Sequence, residues 1–352
     1  IESSEPNFDQ LDYLNNLCRY VCQHTPDENE MREKYLEVIN REPQKRITRY
    51  AAGIMGGTGF AVFFGCNLWD AVIAFIVSVM IVAVGDWLAK RESNLLVYNG
   101  ILAFISEVII IGALKMGIAE HPDRIMIGIV MLLISGLSTT NGIRDLLQRD
   151  FISGFINIMN SFLGAAGIAF GIGLAIILFH EGYSDHFILN HSVPIQLISC
   201  TVACTGFAFW FKIRGKQVWY NSIGAFFTWA IYVVVFALKP SNFLATMIAA
   251  VFVAFYAFIM SRVNKAPSTI FLTASVFPLI PGPNLYYVMY GCVSQDPQLA
   301  FDETIVLMAT CLAIAFGFII VDVASRSIMY ALKREYHIGK SALNLPLIGG
   351  KK

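Results

Sequence analysis

Ten stretches of this chain are long and apolar enough to cross a lipid bilayer: near 48–66, 68–88, 95–118, 123–140, 153–179, 193–211, 217–238, 242–263, 268–291 and 303–330. A helix rises about 1.5 Å per residue against a hydrocarbon core of about 30 Å, which sets the length required. No water reaches the backbone there, so each stretch has to satisfy its own hydrogen bonds as a helix. The expected fold is an all-α integral membrane protein of about ten transmembrane helices. Only 14% of the 352 residues are charged and 56% are hydrophobic, whereas soluble domains carry about a quarter charged. Residues 1–47 are polar, carry no cleavable signal pattern, and read as a cytosolic helical segment. The chain begins at Ile1 without methionine, so this segment is expected to be the end of a larger cytosolic region.

Loop charges orient the crossings, because cytosolic loops of membrane proteins are enriched in Lys and Arg. With a cytosolic N-terminus, only Lys115, Arg124 and Lys239 fall outside, leaving 22 of 25 basic residues inside. The sequence also repeats. "TGFAVFFG" begins at Thr58 and "TGFAFWFK" at Thr205, 147 positions later, and "IAFG" occurs at 168–171 and 314–317. With the offset of 146, Gly136 meets Gly282 and Asp150 meets Asp296. Ordered blocks at a near-constant offset indicate duplication. Each half, 48–190 and 191–335, holds five crossings, so the second enters the membrane from the opposite side. Two five-helix inverted-topology repeats follow, an architecture typical of secondary transporters with a midplane site. Residues 336–352 form a cytosolic tail.

The ninth window contains "FPLIPGPNLYY", residues 277–287. Pro281 and Pro283 each remove a backbone donor and clash with the preceding turn. Such a break survives in a membrane only where protein or a water-filled cavity surrounds it. The window is therefore expected to be a discontinuous interior helix. Its exposed amides and carbonyls at Pro281, Gly282 and Pro283, with Asn284, Tyr286 and Tyr287 beside them, are candidates for binding a polar solute. A kink used only for packing is the alternative. In the fourth window, Gly136 is followed by Ser138, Thr139, Thr140, Asn141, Arg144 and Asp145. This run either lines a polar path, with Arg144 holding a carboxylate bidentately or pairing with Asp145 as a gate, or forms an interfacial helix end. Gly53, Gly56 and Gly57 in the first window have the small-residue spacing that lets helices pack closely.

Ionisable residues inside a membrane mark function by default. Glu107 stands at the centre of the third window and is the first candidate for proton coupling. Asp322, toward the cytosolic end of the last window, is the second, and Asp86 ends the second window. The seven cysteines form no disulfide framework; Cys18 and Cys22, like Cys200 and Cys204, are spaced one turn apart and read as small packing residues. His180, His186 and His191 are too irregularly spaced for a metal site. No cofactor, metal or nucleic-acid partner is expected, and a homo-oligomer is left open.

At these residues the chain resembles the bacterial threonine/serine exporter family. The first half resembles its N-terminal module through "GGTGFAVFFG", Trp69-Asp70 and "TTNGIRDLLQRDFISGF". The second half resembles the companion module through the Pro-Gly-Pro of "PLIPGPNLYYVMY". The two modules stand fused in one chain, and residues 1–47 resemble the end of the family's cytosolic region. The resemblance implies a multi-pass protein of the bacterial cytoplasmic membrane with both termini cytosolic. It further implies export of threonine and serine, or in some members dicarboxylates such as succinate, driven by protons. Where the first module usually has Pro-Gly, this chain has Ser135-Gly136, which predicts a softer break in the fourth window. A dicarboxylate exporter is the runner-up, with Arg144 as the cationic contact, and a passive channel is a further alternative. No HExxH, GxSxG or GxGD pattern points to an intramembrane enzyme.

Overall fold

The computed structural model describes residues 7–134, 149–179 and 192–343, with Ser138, Gly142, Asp145 and Leu146 from the segment between the first two ranges. The polar N-terminal segment forms a helical hairpin. Helix α1 (Phe8–His24) is capped by Asn7, whose side chain accepts from Gln10 N, and ends at Thr25 in the left-handed region. Helix α2 (Glu28–Ile39) is capped by Asp27, which accepts from Glu30 N. The helices of the membrane body are α3 (Arg46–Phe63), α4 (Leu68–Leu88), α5 (Leu95–Lys115), α6 (Pro122–Leu133), α7 (Phe151–Phe179), α8 (Val193–Trp210), α9 (Lys216–Leu238), α10 (Asn242–Asn264), α11 (Ser268–Ser275), α12 (Gly282–Val293) and α13 (Pro297–Leu343).

Seven of these are long and apolar enough to cross a membrane: α4, α5, α7, α8, α9, α10 and residues Pro297–Ile328 of α13. Helix α3 opens on Arg46 and Arg49, which lower its hydropathy. The fourth and ninth windows are not single helices. After α11 the chain makes a 3-10 turn, Phe277–Leu279; Ile280 is extended (φ −69°, ψ 126°), and α12 begins at Gly282. Prolines at 278, 281 and 283 account for this, since none supplies a backbone donor. The fourth window is broken as well: α6 stops at Leu133 because Ile134 is extended (φ −88°, ψ 128°). Ser135-Gly136, where the softer break was expected, lies outside the described residues. Ile134 and Ile280 lie 146 positions apart, the offset of the repeated sequence blocks.

Turns recur at the same offset. Gly65 and Lys212 both have positive φ (103° and 61°), and each is followed by an amide that closes back over the helix end: Cys66 N to Ala61 O at 3.1 Å and Ile213 N to Ala208 O at 2.9 Å. Arg149 and Gln295 share positive φ (69° and 59°). The next residues, Asp150 and Asp296, donate their amides at 2.9 Å to Asp145 O and Gly291 O. Their carboxylates then accept from Ser153 N and Leu299 N, at 3.3 and 3.0 Å.

Helices α3 and α8, which carry the two "TGFA" blocks, pack against each other. A methyl group added at Gly206 would lie 2.6 Å from Gly56 N and 2.8 Å from Ala52 O, and one at Gly59 would lie 2.9 Å from Ala203. Small residues thus set the interhelical distance, as they do where membrane helices pack without a hydrophobic driving force. Gly53 faces Val82 of α4 and Trp210 of α8, Gly57 faces Ser78 and Leu132, and Gly56 faces Leu132 and Phe207. Helix α5 packs on α7, and α10 on α13. Phe277, on the turn between α11 and α12, stacks on Phe207 at 4.0 Å and lies 6.4 Å from Phe60, so the break is anchored in the core. Cys200 and Cys204 are packing residues, fully buried in α8, whereas Cys18 and Cys22 are exposed on α1.

The hairpin docks on turns of the second half. Phe8 N donates to Phe211 O at 3.2 Å, Asn15 Nδ2 to Lys265 O at 2.9 Å, Gln44 Nε2 to Phe209 O at 2.7 Å, and Gln217 Nε2 to Asp12 Oδ2 at 2.9 Å. At the centre, buried Asp9 receives Arg41 at 2.8 and 3.3 Å, with Arg214 Nε 3.7 Å away. The hydrogen bond to Asp9 raises the Arg41 pKa above its ordinary value. Asp9→Ala is expected to cost the docking about 2 kcal/mol. Tryptic cleavage at Arg41 and Lys45 should then accelerate with the membrane body intact, and an unchanged cleavage rate would exclude this role for Asp9.

Candidate functional site

The two helix breaks face each other. Met131, on the last turn of α6, lies against Gly282, the first residue of α12, and a Cβ at Gly282 would overlap its Sδ. Between them is a cavity of about 20 Å³ lined by Met131, Ile134, Phe277, Ile280, Pro281, Gly282, Leu285, Leu307 and Cys311. That volume holds about one water molecule. The passage between the breaks is closed.

On the other side of Pro283 a vestibule of about 570 Å³ opens, lined in part by Pro283, Asn284, Tyr287, Gln196, Trp229, Tyr232, Asn242 and Glu303. It sits at one end of the bundle, between the start of α8, the end of α9, the start of α10, and the α12–α13 pair. Asn284 Nδ2 donates to Glu303 Oε2 at 2.7 Å. Trp229 Nε1 donates to Gln196 Oε1 at 3.2 Å, and Tyr232 OH to Asn242 Oδ1 at 3.2 Å. The Trp229 and Tyr232 rings stack at 4.6 Å, and Tyr232 stacks in turn on Phe236 at 6.0 Å. Among the described residues, Glu303 is the one charged residue in this lining.

The residues singled out from the sequence are thus divided. Pro281 and Gly282 border the closed cavity; Pro283, Asn284 and Tyr287 line the vestibule. Tyr286 turns inward and is 1% exposed, in the core. Ser138 is half-buried. The Asp145 carboxylate accepts from Asn157 at 3.1 Å. Gly136, Thr139, Thr140, Asn141 and Arg144 lie outside the described residues, as do His180, His186 and His191. Glu107 is fully buried in α5, the helix that packs on α7, α6 and α4. Asp322 is paired with exposed Arg326 at 2.8 Å, and Asp86 with Arg49 at 2.9 Å.

Gln196, Trp229, Tyr232, Asn242 and Glu303 were not singled out by sequence reasoning. Gln196, Asn242 and Glu303 stand near the ends of apolar windows, where polar residues are common at membrane interfaces, and Trp229 and Tyr232 read as ordinary aromatic residues of an apolar run. A second site-like group was also missed. Asp70 is fully buried at the first turn of α4, where it and Asn67 form a reciprocal cap. It also accepts from Glu120 N at 2.9 Å, His121 N at 3.3 Å and His121 Nδ1 at 2.9 Å, tying the α5–α6 turn to α4.

Known proteins give the same reading of the chain. A pattern for threonine/serine exporters (ThrE) matches residues 1–179, and a second, described as "Threonine/Serine exporter, ThrE", matches residues 196–324. The threonine/serine exporter of Corynebacterium glutamicum is 24% identical over 90% of this chain and 67% of its own length. A protein of Mycobacterium tuberculosis named "Probable threonine/serine exporter" is 21% identical over 95% of this chain and 66% of its own length. The chain spans about two thirds of each relative. No solved structure matches it. Apolar helices that cross a membrane, interrupted around a closed cavity and matched by exporter patterns in both halves, make this chain a multi-pass membrane protein that belongs to the threonine/serine exporter family.

Proposed function

We propose that the chain exports threonine and serine by alternating access between two five-helix halves of inverted topology, with proton movement driving the cycle. The observation that carries this reading is the pair of helix breaks at Ile134 and Ile280, at equivalent positions in the two halves, which close on each other over a cavity of about 20 Å³. Transporters of this architecture bind substrate where broken helices meet near the midplane, and expose it to alternate sides as one half rocks on the other. The matched turns at Gly65 and Lys212 and at Asp150 and Asp296 support the repeat. The excess of basic residues in alternate loops supports cytosolic termini, which sets the vestibule on the outer side. The conformation then reads as outward-facing with its inner passage shut.

Charge favours an amino acid over a dicarboxylate. Among the described residues Glu303 is the one charged residue lining the vestibule, and a dianion such as succinate would meet repulsion there where the ammonium of a zwitterion meets attraction. The proton is assigned to Glu107, a fully buried carboxyl at mid-helix, rather than to Asp322, whose charge is already paired with Arg326. A proton drives a cycle only if it favours one state over the other, so a neutral substitute should freeze that bias. Glu107→Gln is expected to abolish threonine movement driven by a pH gradient while threonine–threonine exchange persists. Full gradient-driven transport by this variant would remove Glu107 from the mechanism.

The test of the function is transport of labelled threonine, serine and succinate in proteoliposomes under an imposed pH gradient. Uphill threonine or serine movement that stops when the gradient is collapsed is the expected result. Uphill succinate movement alone would transfer the assignment to the dicarboxylate reading, and downhill flux indifferent to the gradient would make the chain a channel.

A further inference from the structure

We propose that the vestibule is an ammonium-recognition site in which Glu303 takes the charge and the Trp229–Tyr232–Phe236 stack supplies the aromatic wall. This deepens the export reading and rests on it, because it names the substrate group that the outer compartment selects. Three observations converge. Glu303 is held in place by Asn284, whose Nδ2 donates to Oε2 at 2.7 Å; among the described residues no hydrogen bond reaches Oε1. Its carboxylate is not paired with any basic side chain among the described residues. Beside it stands a continuous ladder of rings, Trp229 on Tyr232 at 4.6 Å and Tyr232 on Phe236 at 6.0 Å.

A carboxylate with no basic partner among the described residues attracts a cation by charge, and the rings, whose faces are turned on one another, form an apolar flank of the same space. A primary ammonium also needs acceptors for three N–H groups. Glu303 Oε1, Gln196 and Asn242 offer acceptor atoms around the same space. Asn284 sits at the third position after Pro281. The residue that orients the carboxylate therefore belongs to the helix break, which connects ammonium binding to the element that must move. A carboxylate or hydroxyl of the ligand is left to the break itself. The site accordingly takes a small primary amine, with or without a carboxylate, and rejects the same skeleton lacking the ammonium.

The test measures binding to purified protein in detergent, and transport in vesicles of phosphatidylglycerol alone, so that no ammonium lipid competes. The probes are L-threonine, 1-amino-2-propanol, which keeps the ammonium and loses the carboxylate, and 2,3-dihydroxybutanoate, which does the reverse. The wild type is expected to bind the first two and not the third. Glu303→Gln should weaken both amines by about tenfold or more, the scale of a lost charged hydrogen bond. Its thermal unfolding midpoint should be unchanged, and Glu303→Asp should recover part of the affinity. Equal amine affinity in wild type and Glu303→Gln would overturn the ammonium site while leaving export intact if wild type still drives threonine uphill. Glu303-dependent binding of 1-amino-2-propanol with no threonine transport would do the opposite, retaining the amine site and removing the export reading. Tight binding of 2,3-dihydroxybutanoate by wild type would also overturn the ammonium site.

Discussion

Asp70→Ala is expected to destabilise the protein by about 3 kcal/mol, the scale of leaving buried hydrogen-bond donors without their acceptor. The carboxylate is fully buried and accepts from four donors: Asn67 N at 3.3 Å, Glu120 N at 2.9 Å, His121 N at 3.3 Å and His121 Nδ1 at 2.9 Å. Alanine leaves all four without that acceptor, and an unsatisfied donor costs more than the bond was worth. Two features hold the figure to the lower end. Glu120 is exposed and the His121 side chain is 30% exposed, so water can reach part of what is lost. The order of effects should follow the donors removed. Asp70→Asn keeps one acceptor oxygen and should cost less than alanine, and His121→Ala, which removes a single donor, should cost least. Thermal unfolding in detergent reads this order. A midpoint for Asp70→Ala equal to wild type would mean that the cap and the α5–α6 turn are held by other contacts.

The helices were legible because a bilayer leaves an apolar run of twenty residues few other options. The break at 277–281 was legible for a local reason: the prolines at 278, 281 and 283 cannot donate to a helix. The break at Ile134 had no such mark. Ser135-Gly136 permits a helix, and the extended backbone at Ile134 reflects its surroundings, with Met131 pressed on Gly282 across the repeat. Its signals were indirect: the family's Pro-Gly at the position of Ser135-Gly136 and the offset of 146 to Ile280. Only one wall of the vestibule was legible, where Pro283, Asn284 and Tyr287 stand beside the prolines. Gln196, Trp229, Asn242 and Glu303 come from four other helices, and none of them alone points to a site. Asp70 was hidden for the same reason, since its partners at 120 and 121 lie fifty positions away. Local chemistry shows in sequence; convergence of distant residues does not.

Gly282→Ala is expected to slow threonine transport by about tenfold, and Met131→Ala in the same chain should restore most of it. The backbone at Gly282 has no positive φ, so alanine fits the local conformation, and the obstacle is steric. Its Cβ would overlap Met131 Sδ, where α6 and α12 meet over the closed cavity. Overpacking a filled interior costs about 1–3 kcal/mol, and 1.4 kcal/mol is a factor of ten. Met131 is flexible and can swing aside, so the protein should still fold and the unfolding midpoint should fall only slightly. The space it swings into is the cavity of about 20 Å³ between the breaks, which in the proposed cycle is the space that must widen for a substrate to pass. A cost in rate rather than in stability follows. Removing the thioether by Met131→Ala frees that space, and residues in direct contact are where single effects fail to add. The double variant should therefore transport faster than Gly282→Ala alone. Wild-type rates for Gly282→Ala, or a double variant no faster than the single one, would show that this contact does not limit passage between the two breaks.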